Sequence, residues 1–360
     1  VPAVNIFSLT QPQLSEALNA IPGVENPWHR SRLLFKDVYT AQGFGLANLK
    51  VSKKLHPTLS AQFDFLPPLD LATIEQSNAD ASAKLLLRLK RDGSLIESVL
   101  VPERERLTLC ISTQVGCKQA CVFCHTGLQG FTRNLTTDEI VGQIVLAEWL
   151  RKNHPSFQNS PLSNYKGITN VVMMGMGEPL DNLENVLPAC EILVSEQGLR
   201  LSCNKVTVST VGILPALDTF LAASRASLAL SLHSPFSRER TALVPANRKS
   251  PLDAIVETLK KHAHSSNREY FIQYMLAQGV NDSDKHAAAI ASLFQGVPVK
   301  INLIPLNPHE GTSLARPTVA AVYAFQQKLK ALGLVATVRL SKGRDIAAAC
   351  GQLVARHQGA

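Results

Sequence analysis

From about residue 106 onward, short apolar runs alternate with longer amphipathic stretches, and this alternation restricts the possible folds more than any other feature. The runs LTLCIS (107–112), ITNVVMMG (168–175), KVTVST (205–210), ASLALSL (226–232), YFIQYML (270–276) and VKINLIP (299–305) predict strands. Between them lie predicted helices: TTDEIVGQIVLAEWL, NLENVLPACEILVSE, ILPALDTFLAAS, PLDAIVETLKKH, SDKHAAAIASLF and PTVAAVYAFQQKLKAL. Thr136 or Thr137 with Glu139 makes an N-cap arrangement for the first of these. A last run, GLVATVRLS (333–341), is a further strand candidate. Strand–helix units repeated in this way predict a parallel sheet with helices outside, either open or curled into a barrel.

The upstream part reads differently. Residues 1 to about 70 are polar and helical, with LTQPQLSEALNAI and PWHRSRLLFKDVY as helix candidates, and FLPPLDL (65–71) reads as a break. In AKLLLRLKRDGSLIESVLVP two extended runs flank Arg91-Asp92-Gly93-Ser94, which predicts a β-hairpin. The expected organisation is an N-terminal domain at 1–72, a linking hairpin at 73–105, a main α/β body at 106–345 and a C-terminal segment at 346–360.

No apolar run approaches the roughly 18–20 residues of a membrane span. The chain opens on Val rather than Met, and its first residues do not read as a signal peptide. Seven cysteines in 360 residues are sparse and odd in number, unlike a disulfide scaffold, so the cytoplasm is the expected compartment. A net charge of +8 suits a nucleic-acid partner or an ordinary basic enzyme.

The chemically unusual residues sit just after the predicted strands: CKQACVFC (117–124) after the first, GMGEP (175–179) after the second, then Ser209-Thr210, Ser231-Leu232-His233 and Asn307-Pro308-His309. Strand C-termini are where α/β folds build their sites. Cys117, Cys121 and Cys124 form C-x3-C-x2-C with no nearby fourth cysteine. One reading is a structural zinc completed by His125, although a ligand adjacent to Cys124 has difficulty reaching the same tetrahedron. The other is a [4Fe–4S] cluster with one iron left open for a ligand.

C-x3-C-x2-C after the first strand resembles the radical S-adenosylmethionine (SAM) enzymes. The resemblance implies that the methionine moiety of SAM binds the open iron, with Gly177 and Glu178 of GMGEP near its amino group. Ser209, Ser231, Leu232, His233 and Asn307 would surround the rest of the molecule. Longer stretches are closer still: RLTLCISTQVGCKQACVFCHTGLQGFTRNLTTDEIVGQI, ITNVVMMGMGEPLDNLENV, INLIPLNPHEGT and DIAAACGQL resemble the RlmN/Cfr family of radical SAM RNA methyltransferases across about residues 75–355.

This resemblance implies a partial (β/α)6, TIM-like barrel with a small, mostly helical N-terminal RNA-binding domain. It gives roles to three more residues. Cys350 would carry a methyl group taken from one SAM, and a radical from a second SAM would activate that methyl for addition to an adenine carbon. Glu97 would remove the ring proton, and Cys110 would attack Cys350 to form a disulfide and release product. By themselves, Cys110 and Cys350 read as packing residues; Cys190 and Cys203 match nothing and keep that reading. Arg30, Arg32, Lys36, Lys50, Lys53 and Lys54 are candidate phosphate contacts. The implied partners are 23S rRNA, in some members also tRNA, and a flavodoxin-type electron donor; a monomer is the simplest state.

LQGFTRNL and MMGMGEPL are nearer the RlmN branch, which methylates carbon 2 of adenosine, than the Cfr branch, which methylates carbon 8. Gln273 stands where a glutamate is expected, and His125 where a small residue is common, which leaves room for a paralogue with another RNA. A non-enzymatic iron–sulfur or zinc protein, and a radical SAM enzyme acting on protein or a small molecule, are rival readings.

Overall fold

The computed structural model describes residues 3–40, 43–266, 268–308 and 312–353. His309 and the tail beyond residue 353 lie outside the described residues. Ten strands form one sheet: β1 Leu69–Gln76, β2 Ala83–Leu89, β3 Leu95–Glu103, β4 Arg106–Cys110, β5 Asn170–Met173, β6 Val206–Thr210, β7 Ser227–Ser231, β8 Tyr270–Leu276, β9 Val299–Pro305 and β10 Val335–Val338. They lie in chain order from one edge to the other. From β4 to β10 every pairing is parallel, whereas β1 through β4 pair antiparallel. β1 and β10 remain unpaired with each other, so the barrel is partial.

Each strand's character follows from its surroundings. β7, β8 and β9 are nearly continuous apolar runs because helices cover them on one side and the barrel interior on the other. The crossover helices Thr137–Asn153, Leu183–Val194, Ala216–Ala223, Leu252–Ser266, Asp284–Leu293 and Val319–Ala331 carry the chain back to the N-terminal end of the next strand each time. At the first of these, Thr136 donates its amide to Glu139 Oε2 at 2.9 Å, closing the expected capping box. Arg133 then clamps Glu139 through two contacts of 2.7 and 2.8 Å.

The interval around the expected hairpin holds one more strand than the sequence predicts. β1 starts at Leu69, directly after Pro67-Pro68, and pairs with β2 across a bulge between Leu71 and Thr73. β1–β3 are therefore a three-stranded antiparallel extension of the main sheet rather than a connector beside it. The helices Gln11–Asn19, Pro27–Thr40 and His56–Gln62 form the N-terminal part. Their buried Leu14, Leu34, Phe35 and Leu59 belong to the same apolar core as the sheet. At Gly142 an added Cβ would stand 2.9 Å from Pro68 Cδ, which measures how closely this part seats on helix Thr137–Asn153. Among the described residues, no helix is long and apolar enough to cross a membrane.

Candidate active site

The parallel strands all deliver their C-terminal ends to one side, where a cavity opens. Its wall carries Cys117, Cys121 and Cys124, then Gly177 and Glu178, Ser209, Ser231 and His233, Asn307, and finally Cys350. Residues separated by more than two hundred positions in the chain thus share one chamber.

The loop carrying the three cysteines is held from several sides. Cys117 donates its amide to Gly130 O at 2.8 Å, Val122 to Leu243 O at 3.2 Å, and His125 to Gly351 O at 2.7 Å. Burial raises the Cys117 thiol to about 12, and the Cys121 thiol is raised well above its ordinary value by burial and by its neighbours Cys124 and Cys117. Among the described residues, no three His, Cys, Asp or Glu side chains converge tightly enough for a single metal ion. The donor set, three thiols spread around a cavity, suits a larger anionic cluster with an open corner.

The glycine-rich turn after β5 is built by close approach. Gly177 has φ +104°, and an added Cβ would fall 2.6 Å from Gln114 Cβ; at Gly175 it would fall 2.7 Å from the Ile111 carbonyl carbon. Glu178 follows at 4% exposure. Its Oε1 accepts from Leu180 N at 3.0 Å and its Oε2 from Val211 N at 2.9 Å. Burial nevertheless raises its carboxyl to about 7. The amide of Glu178 in turn donates to Gln114 Oε1 at 2.9 Å. Gln114 is a buttress that the sequence did not single out.

His233 is buried with φ +61° and stacks edge-on against Phe123, ring centroids 4.5 Å apart. Its Nδ1 accepts from Met275 N at 3.0 Å, and burial with the nearby Arg240 charge depresses it to about 3, so the ring is neutral. Leu232 is different from its neighbours: it is fully buried and absent from the cavity wall. Its amide goes to Gln273 O at 3.0 Å and its carbonyl takes Arg240 Nε at 3.2 Å. Gln273, at 3% exposure, reaches the wall with both side-chain polar atoms unpartnered among the described residues.

The C-terminal strap explains how Cys350 arrives there. Asp345 takes Ser77 Oγ at 2.7 Å and Asn78 N at 3.0 Å in the β1–β2 turn, and Gly343 N donates to Asp80 at 2.8 Å. At its far end Leu353 O accepts from Thr126 Oγ1 at 2.8 Å. Between the anchors, Asn307 Nδ2 contacts Ser341 Oγ at 2.9 Å and Cys350 O at 3.2 Å, while its Oδ1 takes Arg316 at 3.0 Å. Cys350 is open to the cavity, yet the enclosing protein raises its thiol.

Cys110 and Glu97 lie outside the wall, on the adjoining sheet. Val99 on β3 stands opposite Cys110 on β4, and Glu97 is two residues further along β3, so all three project from one face. The Cys110 thiol is raised by burial and next by Cys350; both are free thiols here. Glu97 is 3% exposed and meets Lys84 Nζ at 3.4 Å, and the same Lys84 reaches Glu75 at 3.2 Å. Arg30, Arg32, Lys36, Lys50, Lys53 and Lys54 are all exposed on the N-terminal part.

Residues 111–290 match the Radical SAM superfamily. A dual-specificity RNA methyltransferase RlmN from Desulfotalea psychrophila is 38% identical over 350 residues, covering 97% of this chain and 94% of that protein. The chain belongs to the RlmN family of radical SAM methyltransferases. The RlmN of Pseudomonas putida is 39% identical over 357 residues, 98% of this chain and 90% of its own length. A crystal structure of a radical SAM methyltransferase from Sphaerobacter thermophilus superposes with a TM-score of 0.85 at 37% identity, covering 98% of this chain and all of that one. Membership carries with it a [4Fe–4S] cluster and SAM as cofactors.

Proposed function

We propose that this protein methylates carbon 2 of an adenosine in RNA, with 23S rRNA as substrate and the tRNA adenosine 3′ of the anticodon as a second one. The dual-specificity RlmN relatives support the substrate class. Cys117, Cys121 and Cys124 hold the cluster. Gly177, Glu178, Ser209, Ser231, His233 and Asn307 line the SAM pocket, and Leu232 supports it from behind. When bound, these cofactors supply a methyl group, an electron and a hydrogen-abstracting radical.

The chain's own residues do the rest. Cys350 Sγ takes the methyl group by displacement, and after loss of one hydrogen that carbon bonds to the adenine ring. The adduct would then return one electron to the bound cofactors while Glu97 accepts the ring proton. The Cys110 thiolate attacks Cys350 Sγ; the methyl-derived carbon leaves with the electron pair of its broken bond to sulfur and takes up one proton to become the methyl group, so a disulfide remains as the methylated RNA departs. Exposed N-terminal Arg and Lys residues grip the phosphates, and the target base is flipped out because its ring carbon is unreachable in a stack. The reaction belongs in the cytoplasm, with a monomeric enzyme and a flavodoxin-type electron donor.

The observation that carries this reading is Cys350 on the cavity wall, its carbonyl held by Asn307 Nδ2 at 3.2 Å, with Cys110 and Glu97 on one face of the neighbouring strands. Cys110→Ala tests it. Without the resolving thiol, RNA remains covalently attached through Cys350 and appears as a protein–RNA band on a denaturing gel. Free methylated RNA at the wild-type rate from this variant overturns the assignment.

A further inference from the structure

Arg240 is the largest completely buried side chain among the described residues. It sits on the short helix Ser237–Leu243, behind the cysteine loop. Every hydrogen-bond partner it has among the described residues is formally neutral. Nε donates to Leu232 O at 3.2 Å, NH2 to Val211 O at 2.6 Å and Ser231 O at 3.1 Å, and NH1 to Asn247 Oδ1 at 2.7 Å. A permanent charge buried without a counter-charge costs several kcal/mol, and folds do not retain one without cause.

Among the described residues, none of the hydrogen bonds of Arg240 reaches a carboxyl. Glu178 lies across the Val211 peptide, its Oε2 taking Val211 N while Arg240 takes Val211 O, and burial leaves that carboxyl only partly ionised near neutral pH. What does pack against this peptide is the cysteine loop. Cys121 shares one small apolar cluster with Val211, Leu243 and Val244, and Val122 N bonds Leu243 O at the end of the arginine's own helix.

We propose that Arg240 is the resident counter-ion of the iron–sulfur cluster and that its fixed charge raises the cluster's reduction potential. Three thiolates outweigh the positive charge of the cluster core, and one-electron reduction adds more negative charge beside the guanidinium. A buried cation there favours the reduced form, because net charge and dielectric around a cluster set its potential. The four hydrogen bonds hold the guanidinium at the ends of β6 and β7, so the charge stays in place through the electron transfer.

The inference rests on the cluster being bound at Cys117, Cys121 and Cys124, and the test separates the two. Full-length Arg240→Lys, Arg240→Gln and Cys121→Ala are reconstituted anaerobically with iron and sulfide, and the potential is read by redox titration followed by electron paramagnetic resonance. Arg240→Gln is expected at a more negative potential than wild type, with Arg240→Lys close to wild type. Equal shifts in both variants, or none in either, overturn the proposal. If Arg240→Gln takes up no cluster while Arg240→Lys does, charge is again the deciding property; if neither does, the hydrogen bonds hold the site and the proposal fails. A wild-type cluster in Cys121→Ala would instead refute the ligand assignment.

Discussion

Replacing Gly177 by alanine tests how the glycine-rich turn is built. Two costs are added there. The backbone holds φ at +104°, which a side-chain-bearing residue adopts at roughly 1–3 kcal/mol. The new Cβ would also stand 2.6 Å from Gln114 Cβ, against about 3.5–4 Å for carbon atoms in contact, so one backbone must move by about an ångström. Overpacking of this kind costs a further 1–3 kcal/mol or so. The sum, about 2–6 kcal/mol, is a large part of a domain's usual stability of about 5–15 kcal/mol.

Gly279 supplies the control. It has φ +69° with nothing within 4 Å of an added Cβ, so Gly279→Ala carries the conformational cost alone, about 1–2 kcal/mol. Urea unfolding of both variants isolates the clash as the difference between them, about 2 kcal/mol. Displacing Gln114 also breaks its 2.9 Å bond from Glu178 N, so SAM affinity by equilibrium dialysis should fall in Gly177→Ala and hold in Gly279→Ala. Equal urea midpoints in the two variants would refute the close-approach argument.

Three further outcomes follow from the same geometry. Burial raises Glu178 from 4.5 to about 7, so between those values the folded cofactor-free protein binds more protons than the unfolded chain. Its stability should therefore fall as pH rises through that window, by up to about 3 kcal/mol for a shift of 7 − 4.5; urea midpoints at both ends check it, and a rise would contradict the sign. Lys84→Met leaves Glu97 buried without its cation, with a loss of about 3 kcal/mol expected by thermal unfolding, and a wild-type melting temperature would show the pair to be energetically idle. Asn307→Ala removes the contacts to Ser341 and Cys350, so limited proteolysis should cut the strap near residue 350 faster than in wild type; unchanged cleavage would mean that the Asp345 and Leu353 anchors suffice.

Much of the barrel was legible because its strands are buried on both faces. Tyr270–Leu276 and Val299–Pro305 coincide with the apolar runs that predict them, and the helix starting at Thr137 begins where Thr136 and Glu139 say it should. Leu69–Gln76 escaped because it is a partly exposed edge strand with a bulge, where apolar and polar residues do not alternate cleanly, and because two prolines precede it. The strand-end motifs identified the cavity, and most of their residues line it. Leu232 does not, since a period-two strand turns alternate residues away from the mouth.

Other features had no local signature. Arg240 looks like any helical arginine in PFSRERTAL, and its partners at 211, 231, 232 and 247 meet only in the folded chain. Gln114 is likewise recognisable as a buttress only once Gly177 is seen against it. The contact between Lys84 and Glu97 follows from strand register, which the hairpin turn at Asp92-Gly93 sets. The arrival of Cys350 at the cavity has no trace in spacing; it depends on a strap anchored at Asp80, Asn307 and Thr126.

The central claim is that Cys350 carries the methyl group, and peptide mass spectrometry addresses it most directly. Anaerobically reconstituted protein is incubated with methyl-deuterated SAM, digested, and the peptide containing Cys350 is sequenced. The account predicts a deuterium-labelled methyl on the Cys350 sulfur and none on Cys190 or Cys203. An unmodified Cys350 in protein with an intact cluster would contradict it.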